Sequence, residues 1–166
     1  MKIITVFDKM QQGYQYSLSE PEGKNFSPDF APELTPSEML ELGVFEGKYL
    51  NDCQNEFPSS WFKKAKISID YPDITLNCFK IKSRLSLSTW EQKGWIIAPD
   101  VRGWFQWYCR YYYGRRLTNI DSVQIKRWRS FKRHKGQILK NCLPFDLECR
   151  SKQRQALLQW AYDPFF

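Results

Sequence analysis

At 166 residues and 19.9 kDa the chain has the size of one domain, 1–166, and can bury a sizeable core without metal or disulfide support. Its 42% hydrophobic and 26% charged residues are those of a folded soluble protein. The formal charge of +7 is unevenly spread: residues 1–83 hold nine bases and twelve acids, net −3, and residues 84–166 hold sixteen bases and six acids, net +10. That asymmetry excludes a basic tail and places a basic face in the second half.

No charged leader with an apolar run opens the chain, and no apolar stretch approaches the roughly 20 residues of a membrane helix, so a soluble intracellular protein without membrane association is expected. Five cysteines at irregular spacing do not suggest a secreted disulfide framework, and reduced thiols are expected.

In chain order, Lys2–Phe7 reads as a strand with apolar residues on both faces, and residues 11–36, rich in Gly and Pro, as an irregular loop. Thr35-Pro36-Ser37-Glu38 is a capping box that opens a short helix ended by Gly43. Ser60–Lys64 opens another short helix, and residues 67–71 and 74–81 read as two strands joined at Pro72-Asp73, completing a small sheet with the first. Ser88–Glu91 is a second capping box, and Gly94 stops its helix.

Beyond residue 98 the pattern is helical. Asp100 is placed to cap a helix ending at Tyr113 and Gly114, Asn119 or Asp121 to cap one running through at least Lys135, and a third spans about residues 150–162. The expected class is α+β: a small N-terminal antiparallel sheet packed on a helical C-terminal half, with a mixed, acidic part (1–98) and a helical, basic part (99–166).

Residues 102–140 concentrate the charge, with eleven Lys and Arg against Asp121 alone, interleaved with nine aromatic rings. Arg102, Gln106, Arg110 and Tyr113 fall at helical spacing on one face, and Lys126, Arg129, Arg133, Gln137 and Lys140 form a second basic face. Arg115 and Arg116 lie in the turn between, where the negative end of the first helix favours cations. Cations among rings suit phosphate contact and base stacking, so DNA or RNA is the expected partner, with those residues as the binding set. Trp104, Trp128 and Trp160 are expected in the core, and Arg110, Arg129 and Arg133 on the surface.

Chemistry is thinly signalled. His134 is the sole histidine, and as a general base it needs an orienting carboxylate such as Asp121, Asp146 or Asp163. Asp100 beside Arg102 is the other catalytic candidate, with Glu46, Asp52 and Glu56 as further scattered acids. Cys142 and Cys149 are spaced unlike a zinc knuckle, so no metal is expected, and no glycine loop, dinucleotide fingerprint or nucleophile elbow implies a cofactor.

The blocks GWFQWYCRYYYGRR (103–116), QIKRWRSFKRH (124–134) and CRSKQRQALLQWAYD (149–163) resemble a set of uncharacterised proteins with similar C-terminal halves. The resemblance implies that the second half is a recurring module, and it implies no activity. Three readings stand: a nucleic-acid-binding module, an enzyme acting on nucleic acid or a smaller anion through an Arg-lined pocket, and a basic protein-interaction domain. An enclosed pocket with convergent polar groups separates them.

Overall fold

The first strand pairs with the segment that immediately follows it in the computed structural model, which describes residues 1–166. β1 (Lys2–Phe7) runs antiparallel to β2 (Gln12–Leu18), in a register from Lys2 opposite Leu18 to Val6 opposite Tyr14, with an irregularity at Val6/Phe7. A two-stranded ribbon has only one face to bury. Ile4, Val6 and Tyr16 fill it, while Ile3 and Phe7 stand 61% and 75% exposed. The expectation of a first strand buried on both faces is corrected, and so is the irregular loop over its first part, because Tyr14, Tyr16 and Leu18 alternate onto the buried side of β2; residues 19–35 are irregular as expected.

α1 (Pro36–Leu42) starts on the expected box: the Thr35 hydroxyl accepts from the Glu38 N–H, and the Glu38 carboxylate accepts from the Thr35 N–H. Gly43 ends it at φ 107°, and its backbone then touches the 67–81 segment. A Cβ there would stand 1.9 Å from the Leu76 carbonyl oxygen, so only glycine fits. The two strands expected at 67–71 and 74–81 do not form. The N–H groups of Lys66, Ser68, Asp73 and Cys78 donate singly to the carbonyls of Leu40, Gly47, Glu46 and Gly43, strapping the segment across the 40–47 backbone. Positive φ at Phe45, Glu46, Gly47 and Lys80 breaks the pleat that a ladder needs. Only a 3₁₀ turn, Ile74–Leu76, is regular there, and Ile69 and Tyr71 face solvent.

The remaining helices are α2 (Leu87–Gln92), α3 (Trp104–Tyr113), α4 (Thr118–Phe131), α5 (Arg133–Asn141) and α6 (Ser151–Gln159). The fold is α+β, with the hairpin at the N-terminal end and a mostly helical C-terminal half. Ser86, not Ser88, caps α2, its hydroxyl accepting from the Thr89 N–H. Gly103 occupies the N-cap of α3 and offers no side-chain bond, so Asp100 is not the cap; Gly114 closes the helix as expected. The long helix expected to run past residue 131 is interrupted at Lys132, which keeps helical backbone angles and whose N–H bonds the Arg129 carbonyl. Asp121 lies inside α4 and reaches back to accept from the Leu117 N–H at 2.8 Å.

α3 is the axis of the core. Trp104, Phe105, Trp107, Tyr108, Cys109 and Tyr111 are all buried, and Phe30, from the loop before α1, packs edge-on against Tyr108, Tyr111 and Trp128 with centroids 5.0–5.6 Å away. Trp128 stacks on Tyr162 at 5.0 Å. A helix covered on every side has no solvated stripe, and its polar residues must be satisfied internally. The hairpin packs onto the end of this helix through Tyr113.

Candidate nucleic-acid interface

The residues expected to make one cationic surface divide into two groups with opposite roles. Gln106 and Arg110 have no exposure, Arg115 has 1% and Arg102 has 8%, so these four lie inside the protein. Arg110 donates through Nε and Nη2 to Glu56, at 2.7 and 3.2 Å, through Nη1 to Asp100 at 3.0 Å, and through Nη2 to Gln11 at 2.8 Å. Arg115 holds both Asp100 oxygens, at 2.8 and 2.7 Å, and Arg102 grips Asp52 with two bonds and Asp8 with one. The Tyr16 hydroxyl donates to Glu56 at 2.8 Å, and burial followed by the Glu56 charge pushes its pKa well up. Burial works against the Arg110 cation, but Glu56 and Asp100 outweigh it and raise its pKa.

The assignment of Arg102, Gln106, Arg110 and Arg115 to a phosphate-binding face is therefore corrected. The charges of the three arginines are taken up by carboxylates, and Gln106 Oε1 accepts from the Arg102 N–H, which bolts the hairpin, the Gln54–Glu56 turn and the Pro99-Asp100 turn to α3. Asp100, fully buried with both oxygens engaged, has no route to a substrate, so its candidacy as a catalytic group falls. The acids Asp52 and Glu56 belong to the same network.

Two further members of the set are half-buried. Arg116 donates to the Tyr111, Arg115 and Lys24 carbonyls at 2.6–2.9 Å and lies 3.8 Å above the Tyr111 ring, a helix-end role in keeping with its position. Tyr113 packs edge-on against Phe57 and Trp61.

Lys126, Arg129, Arg133 and Lys140 are exposed along α4 and α5, as is Lys132. Carboxylates approach them only loosely: Asp29 stands 3.6 Å from Arg129, with both side chains more than half exposed. Such a surface pair contributes between zero and about 1 kcal/mol and leaves the cation free to exchange partners.

Next to this ridge lies a cleft of about 450 Å³, lined by the rings of Trp90, Trp95, Phe131 and Trp160 together with Arg84, Arg127 and Arg133. Ser130 lines both the cleft and the shallow depression that holds Lys126 and Arg129, so the two features adjoin there. Phe131 and Trp160 stack at 4.7 Å, and Trp160 packs in turn on Trp104, also at 4.7 Å, which anchors the cleft wall to the core. Arg84 is paired with the buried Glu46 at 3.0 Å. Arg127 donates through Nη1 to the Trp95 carbonyl and to Gln124 Oε1, both at 2.9 Å, and its guanidinium lies 5.6 Å from the Trp160 ring. Desolvation lowers the Arg127 pKa, and none of the ion pairs in the structure involves Arg127 or Arg133.

Sequence reasoning missed this cleft. Arg127 and Arg84 belong to neither of the two helical faces, and Trp160, expected largely in the core, is half-buried and packed against it. Residues 84–95, 127–133 and 160 are far apart in the chain and come together only in the folded protein.

His134 is half-buried, its ring tilted against Phe131 with centroids 4.5 Å apart, and Nδ1 lies 3.0 Å from Gln153 Nε2. No carboxylate orients it, and burial followed by the neighbouring Arg133 lowers its pKa, so the structure offers no general-base arrangement around it. Cys142 and Cys149 are joined as a disulfide across the turn between α5 and α6, correcting the expectation of free thiols for this pair and removing both as thiolate ligands. Cys53, Cys78 and Cys109 are free; burial pushes the Cys53 thiol up to about 12 and Cys109 well above its ordinary value, which disfavours their thiolates. No helix is long and apolar enough to cross a membrane. No protein-family model, curated protein or solved structure matches the chain.

Proposed function

We propose that this protein binds nucleic acid, contacting the phosphate backbone through the ridge of Lys126, Arg129, Lys132, Arg133 and Lys140. The observation that carries the reading is an exposed run of cations that the fold leaves without firm carboxylate partners, in a molecule that pairs Arg84, Arg102, Arg110 and Arg115 closely with carboxylates. A protein that needed these charges only for folding would pair them as it pairs Arg110 and Arg115. Contacts of this kind are sequence-independent and act by releasing counterions from the strand.

Fluorescence anisotropy with labelled single-stranded and duplex oligonucleotides, over a range of salt, tests the reading. Binding is expected at low salt and falls steeply as salt rises. Replacing Lys126, Arg129 and Lys140 together by Gln is expected to lower the slope of log K against log salt by about 2 on single strands, at about 0.7 for each lost phosphate contact, and to leave the fold intact. Absence of binding to either oligonucleotide at low salt sinks the reading.

A further inference from the structure

We infer that the cleft between Trp90, Trp95, Phe131 and Trp160 is a nucleotide pocket, taking one unstacked base against its rings and the attached phosphate on Arg127 and Arg133. This deepens the nucleic-acid reading, and it stands on a different set of residues.

The rings of the cleft differ from those around α3. Trp107, Tyr108 and Tyr111 are enclosed, whereas Trp95 is 42% exposed and Trp90, Phe131 and Trp160 are only half-buried, so ring surface stays open beside an empty volume. That volume, about 450 Å³, falls within the range of small-molecule sites, roughly 300–1,000 Å³. A flat occupant is favoured because flat surfaces bound the space, and every base has a π-face that stacks on them.

Charge narrows the class further. Of the three arginines lining the cleft, Arg84 is neutralised by Glu46, while Arg127 and Arg133 have no acid. No hydrogen bond engages Nε or Nη2 of Arg127, although Nη1 is fixed by two acceptors that hold the side chain across Trp160. A guanidinium held in place with free donors binds phosphate oxygens well. Ser83 and Ser130 also line the cleft; their hydroxyls donate to the Lys152 and Arg127 carbonyls, which leaves the oxygens to accept from a base edge. A flat ring carrying an anionic group is the occupant these walls complement, and a nucleotide has both parts.

The same geometry distinguishes strands. A base paired and stacked within a duplex cannot enter, whereas a single strand along α4 can set phosphates on Lys126 and Arg129 and turn a base past Ser130 into the cleft.

The test uses the full chain and nucleoside monophosphates, followed by tryptophan fluorescence and by saturation transfer to the ligand, with inorganic phosphate and ribose 5-phosphate as controls. Mononucleotides are expected to bind, with both controls markedly weaker. Trp95→Ala removes an exposed ring and is expected to weaken mononucleotide binding about 5- to 150-fold, the loss of one base stack. Arg127→Gln is expected to weaken it roughly 10-fold or more, the loss of a charged hydrogen bond. Unlabelled single strands are expected to compete with the mononucleotide, and duplexes of equal length to compete poorly. Circular dichroism and the thermal midpoint verify that each variant is folded.

If the folded protein binds oligonucleotides but no mononucleotide, the pocket is refuted and the ridge stands. If it binds mononucleotides but no oligonucleotide, the ridge is refuted and the pocket stands as a site for free nucleotide. Mononucleotide binding that neither Trp95→Ala nor Arg127→Gln weakens also refutes the pocket, as does equal binding of inorganic phosphate.

Discussion

Arg110→Gln is expected to destabilise the protein by about 3–5 kcal/mol, the cost of removing one partner from a buried ion pair. Arg110 has no solvent exposure, and its guanidinium is shared among Glu56, Asp100, Gln11 and the Pro99 carbonyl. Around it, two arginines (Arg110 and Arg115) balance two carboxylates (Glu56 and Asp100), so the substitution leaves one buried negative charge uncompensated. Asp100 keeps Arg115; Glu56 keeps only the Tyr16 hydroxyl. For a chain of this length each kcal/mol moves the melting midpoint by about 2–4 °C, so a drop of roughly 6–20 °C is expected. Urea unfolding followed by tryptophan fluorescence measures the loss. The double variant Arg110→Gln/Glu56→Gln is expected to lose less than the sum of the single changes, because each leaves the other group stranded. A loss under about 1 kcal/mol, or strict additivity, would show that the network does not hold the hairpin to α3. Arg129→Gln, at the surface, is expected to leave the midpoint unchanged while weakening oligonucleotide binding.

Two other measurements probe the C-terminal helices. His134 is the only histidine, so its ring protons titrate without overlap in NMR, and a midpoint below the ordinary 6.5 is expected, moving up in Arg133→Gln. Because folding opposes its protonation, His134 contributes a loss of stability as pH falls through the unfolded-state value near 6.5, and none above it; a midpoint at or above 6.5 would contradict the burial and charge described here. Reducing the Cys142–Cys149 bridge, which closes a loop with a sequence separation of 7, is expected to lower stability by up to about 2.5 kcal/mol while leaving oligonucleotide binding in place. An unfolded reduced protein would mean that the bridge does more than tether the turn between α5 and α6.

The features legible in the chain are those that neighbouring residues settle among themselves. Thr35, Pro36 and Glu38 start α1 and Gly43 ends it because a capping box and a left-handed stop are built within a few residues, and Gly114 closes α3 for the same reason. The α+β class and the cations of α4 and α5 were likewise written in periodicity and charge. The direction in which a stripe faces was not. Arg102, Gln106 and Arg110 recur at helical spacing whether water or carboxylate lies opposite them, and the acids that claim Arg102 and Arg110 come from as far back as Asp8, Asp52 and Glu56. Those acids look like surface groups until folding brings them to α3. The strand at Gln12–Leu18 was hidden by the glycine and prolines around it, and the strap at 67–81 looked like a ladder because its apolar alternation was real and its hydrogen-bonding partners were irregular. The cleft depends wholly on packing: Trp90, Arg127 and Trp160 lie on segments far apart in the chain, and local chemistry carries no information about which distant ring or charge will become a neighbour.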